Sequence, residues 1–221
     1  MQLTAVTLAR VAAFIETFDL NPRGRVHFPD LVAGLVETYG FLKYPQKFED
    51  FDETKGVLFD GGKAGDISGL RFQVFTNLIV AESGSSTDES ERILEEVFLW
   101  MAKKFGLNYA PGMIKRKAYV SQLTFHSEVA LNALHPALAK LSDRVTNLIP
   151  KFIGQPLKYE TTTFSLSYDL LTSKLAIAPF TIERRTDTPF SENKYFSTAP
   201  LPTDKHITLL KEFEADLLAP R

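Results

Sequence analysis

No cysteine occurs among the 221 residues of this chain. The absence excludes disulfide bonds, cysteine nucleophiles and zinc sites with thiolate ligands. The four histidines are scattered, and no two lie three or four residues apart as on a metal-binding helix: His27, His126, His135 and His206. The residue pattern therefore predicts neither a metal site nor a cofactor.

The chain has no large excess of positive or negative charge, and it has no long hydrophobic run. Twenty-five basic residues face 27 acidic ones, which gives a net charge of −2. Such a balance argues against a whole-protein attraction for nucleic acid or acidic membranes. The N-terminal stretch is interrupted by Arg10, Glu16 and Asp19, so we expect neither a signal peptide nor a membrane span. We expect a soluble, cytoplasmic protein.

What is present is typical of a globular protein. Hydrophobic residues make up 44% and charged residues 24% of the chain, and 18 residues are Phe. A chain of this length buries roughly 70% of the surface that its unfolded form exposes. We therefore expect one α+β domain over residues 1–221 with an aromatic core.

Four segments have the pattern of helices. "FPDLVAGLVETYG" has Pro29 and Asp30 in its first turn and ends at Gly40. "SSTDESERILEEVFLWMAKKFG" begins with a capping box of Ser86 and Glu89 and stops at Gly106. The others are "LHPALAKLSDRVTNLIP", with Leu138, Leu141, Val145 and Leu148 predicted to point inward, and "PTDKHITLLKEFEADLL", capped at Thr203.

About six segments have the pattern of strands. Residues 5–18 fit either a strand or a helix, and β-branched residues favour the strand. "LRFQVFTNLIVAES" predicts a hairpin that turns at Thr76-Asn77 and sets Arg71 opposite Glu82. "TTTFSLSYDLL" alternates, which predicts that Phe164, Leu166, Tyr168 and Leu170 face inward. Because strict strand–helix alternation is missing, we predict an α+β fold with a mixed, largely antiparallel sheet.

Two short motifs imitate catalytic ones. In "FDGGKAGDISG" Lys63 follows Gly62, but Ala64 replaces the hydroxyl residue that a phosphate loop requires, so we interpret the glycines as a hairpin turn. Pro29-Asp30 followed by Glu53-Thr54-Lys55 matches the sequence motif of a metal-dependent nuclease site. Since Asp30 is predicted at a helix start, that nuclease site, or another hydrolase, is the weakest of our hypotheses.

A basic run is the clearest charge feature. Residues 82–96 hold six acids and one base, whereas 103–117 hold five bases and no acid: Lys103, Lys104, Lys115, Arg116 and Lys117. Basic residues near aromatic ones bind phosphates and stack bases in nucleic-acid-binding proteins. The alternative is that these charges complement a helix dipole and solvate a strand edge.

Arg184 and Arg185 end a predicted strand, "LAIAPFTIERR". The two-residue period turns Arg185 outward beside Glu183 and Arg184 inward. Because an unpaired buried guanidinium is very costly, Arg184 must bind Asp187 or Glu192 or face a ligand anion, unless the strand has already ended.

The runs "APGMIKRKAYVSQLTF" and "APFTIERRTDTPFSENKYFS" resemble segments of an uncharacterised family of bacterial proteins. The resemblance implies a bacterial, intracellular protein. It brings no known activity, ligand or catalytic residue.

The leading hypothesis is a non-enzymatic binding or assembly module that contacts a protein partner or a second copy of itself. It rests on the missing chemical clusters and on two polar-aromatic segments, 41–56 and 186–201. The first alternative is a nucleic-acid-binding protein that uses the basic run and Arg184. The second is the nuclease or hydrolase centred on Asp30, Glu53 and Lys55.

Overall fold

A computed structural model describes residues 1–169, 171–172 and 177–219. The chain divides into two compact units. The larger unit contains residues 6–121 and 201–203. The smaller unit contains the other described residues, at 1–5, within 122–200 and after 203. The predicted α+β class with a largely antiparallel sheet is confirmed.

The described residues form eight strands and six helices. The strands are β1 Gln2–Phe14, β2 Val57–Ala64, β3 Ile67–Phe75, β4 Leu78–Ser83, β5 Arg116–His126, β6 Thr163–Leu166, β7 Phe180–Arg184 and β8 Lys194–Ala199. The helices are α1 Thr17–Leu20, α2 Phe28–Tyr39, α3 Thr87–Phe105, α4 Pro136–Leu148, α5 Pro150–Ile153 and α6 Thr203–Leu218. Short 3-10 turns lie at Phe48–Phe51, Leu131–Leu134 and Phe190–Glu192.

The larger unit holds residues 6–14 of β1 and 116–121 of β5, and its strand order is β2-β3-β4-β1-β5. The pairs β2–β3, β3–β4 and β4–β1 are antiparallel. The β3–β4 hairpin turns at Thr76-Asn77 and pairs Arg71 with Glu82, as predicted. Side chains of α2, α3 and these strands share one hydrophobic core, which includes Phe59, Phe72 and Phe98.

The predicted ends of α3 are confirmed. The Ser86 hydroxyl accepts a hydrogen bond from the Glu89 backbone N–H at 3.1 Å, which satisfies one of the donors that a helix start leaves free. Gly106 follows α3 with a φ of 74°, in the left-handed region that glycine adopts without strain. These signals fix α3 and its apolar stripe against the core.

The glycine-rich turn is at Gly65-Asp66, between β2 and β3. Gly61 and Gly62 instead lie inside β2, at a shift in its register with β3. A Cβ at Gly62 would lie 2.5 Å from the Phe41 ring, so the strand backbone approaches this ring closely. The predicted hairpin turn is therefore confirmed at Gly65, whereas Gly61 and Gly62 belong to the strand.

In the smaller unit the strand order is β5-β8-β7-β6, and β8–β7 and β7–β6 are antiparallel. The segment 186–201, predicted as a polar interface segment, contains β8. Tyr195, Ser197 and Ala199 of β8 are buried in alternation. The sequence pattern did not predict this strand, because its buried face includes the polar side chain of Ser197 and so lacks a continuous apolar alternation.

Two predicted core faces are wrong. No residue of α4 is buried, and Leu141 and Leu148 are 57% and 50% exposed. Leu166 of β6, also predicted to face inward, is 55% exposed. A periodic apolar stripe shows that one face is distinct, but it does not show that the chain itself covers that face. Leu170 lies outside the described residues.

Candidate functional site

The basic run lies entirely in the larger unit, whereas Arg184 lies in the smaller one. Lys103 and Lys104 occupy the last turn of α3, Lys115 precedes β5, and Arg116 and Lys117 begin β5. The sequence hypothesis therefore combines residues of two units.

Lys117 is the best-paired base of the run. Its ammonium lies 2.5 Å from Oε1 of Glu91, and the Tyr119 hydroxyl donates to Oε2 of Glu91 at 2.9 Å. Burial and then this carboxylate raise the pKa of Tyr119 to about 12. Burial works against the charge of Glu91, but its bonds from Lys117 and Tyr119 outweigh that effect and lower its pKa. The acidic segment of α3 thus neutralises part of the basic run.

Other bases of the run are also engaged. The Lys104 ammonium lies 3.4 Å from the Glu37 carboxylate and 5.2 Å from the centre of the Trp100 ring. Lys115 lies 3.4 Å from Glu16. The Arg116 guanidinium lies 3.9 Å above the Phe14 ring. These contacts hold the charges beside acids and rings of the same unit, while Lys103 is exposed.

Arg184 points inward, as predicted, and is only 6% exposed. Its Nη2 lies 3.0 Å from the Glu160 carboxylate, and its Nη1 donates to the Phe190 carbonyl at 2.6 Å. The guanidinium also lies 4.6 Å from the centre of the Phe190 ring. It therefore holds the following loop through a carbonyl and an upstream carboxylate.

The prediction that Arg184 binds Asp187 or Glu192 is wrong. Asp187 instead binds Arg185, with an N–O distance of 2.9 Å between two exposed side chains. Arg185 is only two residues from Asp187 in the turn after β7. Glu160, the actual partner of Arg184, lies 24 residues earlier in the chain. A strand period predicts the direction of a side chain but not a partner so distant in sequence.

The three residues of the nuclease hypothesis are all exposed. The Asp30 carboxylate lies 3.5 Å from the His27 ring, and Lys55 lies 3.1 Å from Asp52. Glu53 borders a cavity. Within the described ranges, no group of three or more His, Asp or Glu residues is placed to hold a metal ion.

His206, one of the four scattered histidines, is fully buried. Its Nε2 lies 2.8 Å from the Ser197 hydroxyl, which also donates to the Thr181 carbonyl at 2.6 Å. Burial lowers the pKa of His206 to about 4, so the ring is neutral at pH 7. Because the serine hydroxyl is buried and directed to a carbonyl, this pair is a structural one.

The feature that sequence reasoning missed is the exposed face of α4 and α5. We call the exposed apolar side chains of these helices the α4–α5 face: Leu138, Leu141, Leu148, Phe152 and Ile153. The exposed fractions of Phe152 and Leu141 are 82% and 57%. The stripe was visible in the sequence, but periodicity does not distinguish a core face from a binding face.

Charge surrounds this face unevenly. Three exposed bases, Lys140, Arg144 and Lys151, lie on the same two helices, beside one exposed acid, Asp143. At 100° per residue, Lys140 and Arg144 follow one border of the leucine stripe of α4, and Lys151 lies on α5. The α4–α5 face is therefore apolar with a basic border.

Comparisons with known proteins give no family for this chain. No family model matches it, and no curated protein has a significant similarity to it. Among the helices that the structure describes, none combines the length and the apolar character that crossing a membrane requires.

Proposed function

We propose that this protein is a non-enzymatic binding module that contacts another protein through the α4–α5 face. The observation that carries the proposal is α4 itself, a 13-residue helix with no buried residue and a leucine stripe on its surface. Soluble proteins rarely leave contiguous apolar patches uncovered, and such patches mark interaction sites. An amphipathic helix on a partner's groove is a common form of recognition.

The basic border indicates the chemistry of the partner. Lys140 and Arg144 follow one side of the stripe and Lys151 adds a third positive charge on α5, so a second face of the same charge would be repelled. An apolar surface bordered by Asp and Glu would be attracted and held in register. The expected partner is therefore a protein surface of acidic, apolar character, on a second copy of this chain or on a different protein.

Light scattering on the purified chain tests whether the partner is a second copy of this chain. A mass well above 24.8 kDa identifies self-assembly. We expect Leu141→Ser with Phe152→Ser to return such an assembly to the monomer mass. The matched control is Leu99→Ser, which removes an equally exposed leucine (51%) from α3.

If the mass is that of a monomer, the expected partner is a different protein. A photo-crosslinking amino acid at position 152 should then give one adduct in cells, and the same group at position 99 should not. Lys140→Glu with Arg144→Glu should remove the adduct, because it reverses the border charge. A monomer without an adduct at 152, or an adduct insensitive to the charge reversal, would refute the proposal.

A further inference from the structure

A cavity of about 380 Å³ lies in the larger unit, between helices α2 and α3 and the strands β2, β3 and β4. Every buried residue of its lining is apolar. Both helices and the sheet contribute to this lining, which includes Leu31, Leu35, Phe72, Val97, Phe98 and Met101. The volume falls in the range of small-molecule sites, which are concave and mostly apolar. Well-packed cores rarely contain spaces of this size.

The entrance of the cavity is marked by the lining residues that reach solvent. Phe18 and Phe28 are 71% and 36% exposed, and Thr76 and Glu53 are also exposed. Two aromatic rings at a polar boundary allow an apolar body to enter while one end of a ligand stays in water. The cavity thus suits an elongated amphiphile with its polar head at this entrance.

The polar groups of the lining differ in their availability. The Thr17 hydroxyl donates to the Thr76 carbonyl at 2.7 Å, and the Asn21 amide exchanges two hydrogen bonds with the Val26 backbone. The Glu53 carboxylate forms no hydrogen bond or ion pair with any residue that the structure describes. A negative charge without a partner therefore stands at the entrance of an apolar cavity.

We infer that this cavity binds a cationic amphiphile, with its hydrocarbon or aryl body among the α2, α3 and sheet side chains and its amine beside Glu53. The apolar lining supplies the binding free energy by removing the body from water. The carboxylate sets the preference among head groups, since it attracts an ammonium, is indifferent to a hydroxyl and repels a carboxylate. This site is independent of the α4–α5 face, which belongs to the smaller unit.

Three probes of equal chain length, octylamine, octanol and octanoate, test the inference on the full chain by calorimetric titration and thermal shift. Each probe is used below the concentration at which it forms micelles. We expect octylamine to bind about two- to fivefold more tightly than octanol, which is the usual range for one exposed charge pair. We expect octanoate to bind most weakly. All three ligands raise the unfolding temperature if they bind the folded state.

Glu53→Gln should remove the advantage of octylamine and leave octanol binding unchanged. The matched control is Glu49→Gln, an exposed acid of the same loop that does not line the cavity. Leu35→Phe fills the cavity and should weaken all three probes. Octanoate binding equal to that of octylamine, an unchanged preference in Glu53→Gln, or no binding of any probe would overturn the inference. Neither glutamate variant should change the mass in solution, so the test is separate from that of the proposed function.

Discussion

The guanidinium of Arg184 and the carboxylate of Glu160 lie 3.0 Å apart, with side chains that are only 2% and 8% exposed. The other oxygen of the Glu160 carboxylate contacts the ammonium of Lys158, whose side chain is 77% exposed. Phe190 covers the guanidinium with its ring and accepts a hydrogen bond through its carbonyl. Two of the three guanidinium nitrogens of Arg184 are thus bonded inside the protein, whereas its buried Nε has no hydrogen-bond partner among the described residues. The buried ion pair accounts for an inward arginine without a ligand anion.

Arg184→Ala should destabilise the protein strongly. Removing one partner of a buried ion pair leaves the other charge uncompensated, which costs about 3–5 kcal/mol. Arg185→Ala is the matched control, because the Arg185–Asp187 pair is 41% and 58% exposed. An exposed pair of this kind contributes less than about 1 kcal/mol. Urea unfolding of both variants measures the difference, and equal losses would contradict the assignment of Arg184 as a structural anchor.

His206 makes stability depend on pH. The unfolded chain takes up a proton on this ring near pH 6.5, but the folded chain does so only near pH 4. The unfolded state therefore binds more protons between these values, and the free energy of unfolding falls as the pH drops from 6.5 towards 4. Well above pH 6.5 the ring is neutral in both states and contributes no slope.

The expected slope from His206 averages about 1 kcal/mol per pH unit between pH 5 and 6.5, below the limit of about 1.4 kcal/mol per unit for a full proton difference. Urea unfolding across that interval should show a smaller slope for His206→Asn than for the unchanged chain. The comparison uses slopes, because the substitution also changes packing beside Ser197 and Phe180. His27→Asn, at an exposed histidine, is the control for the removal of a histidine.

Thr87 and Thr203, which both lie in the larger unit, exchange two hydrogen bonds. The Thr87 hydroxyl accepts from the Thr203 backbone N–H at 2.8 Å, and the Thr203 hydroxyl accepts from the Thr87 N–H at 3.0 Å. Both residues are buried. Each hydroxyl therefore satisfies an N–H that the other helix leaves free at its first turn.

Either Thr87→Val or Thr203→Val leaves one buried N–H without its acceptor, at a cost of about 1–3 kcal/mol. Because the two bonds are reciprocal, the double variant should depart from the sum of the single ones by about 0.5–3 kcal/mol. Urea unfolding of the four proteins gives this coupling. Strict additivity would show that the two bonds do not act together.

The sequence identified most elements of the larger unit because local signals and packing agree there. Ser86, Gly106 and the Thr76-Asn77 turn are chemical markers of ends, and the Arg71–Glu82 register follows from the hairpin. The smaller unit was harder to predict. Its Arg184–Glu160 pair joins residues 24 apart, and β8 carries polar side chains on its buried face. Such choices depend on tertiary partners, which a local pattern does not contain.

The candidate surfaces show the same division. The stripe of Leu138, Leu141 and Leu148 was found, but its exposure follows from what the remainder of the chain leaves uncovered. Glu53 was noted for the spelling of a nuclease motif, and the structure gives it a place at a cavity entrance instead of among metal ligands. The sequence shows which residue types are present, whereas their exposure and their contacts follow from the tertiary structure.

Leu141→Ser should leave the free energy of unfolding within about 0.5 kcal/mol of its original value, because surface substitutions have small effects. Leu123→Ala, at a fully buried position of β5, should cost about 2–5 kcal/mol. Urea unfolding at a protein concentration that keeps the chain monomeric makes the comparison. A large loss in Leu141→Ser would mean that the α4–α5 face is packed in solution and is not available to a partner.

The nucleic-acid hypothesis is tested by titrating labelled single- and double-stranded DNA and RNA across salt. Lys117 and Lys115 pair with Glu91 and Glu16, so each phosphate contact would have to displace a carboxylate. We therefore expect weak binding at low salt and little change in the triple variant Lys115→Ala, Arg116→Ala, Lys117→Ala. A protein that contacts 6–10 phosphates loses about 10³–10⁵ in affinity between 50 and 200 mM salt. A loss of that size, absent from the triple variant, would make the basic run a phosphate-binding surface and would place nucleic acid ahead of a protein partner.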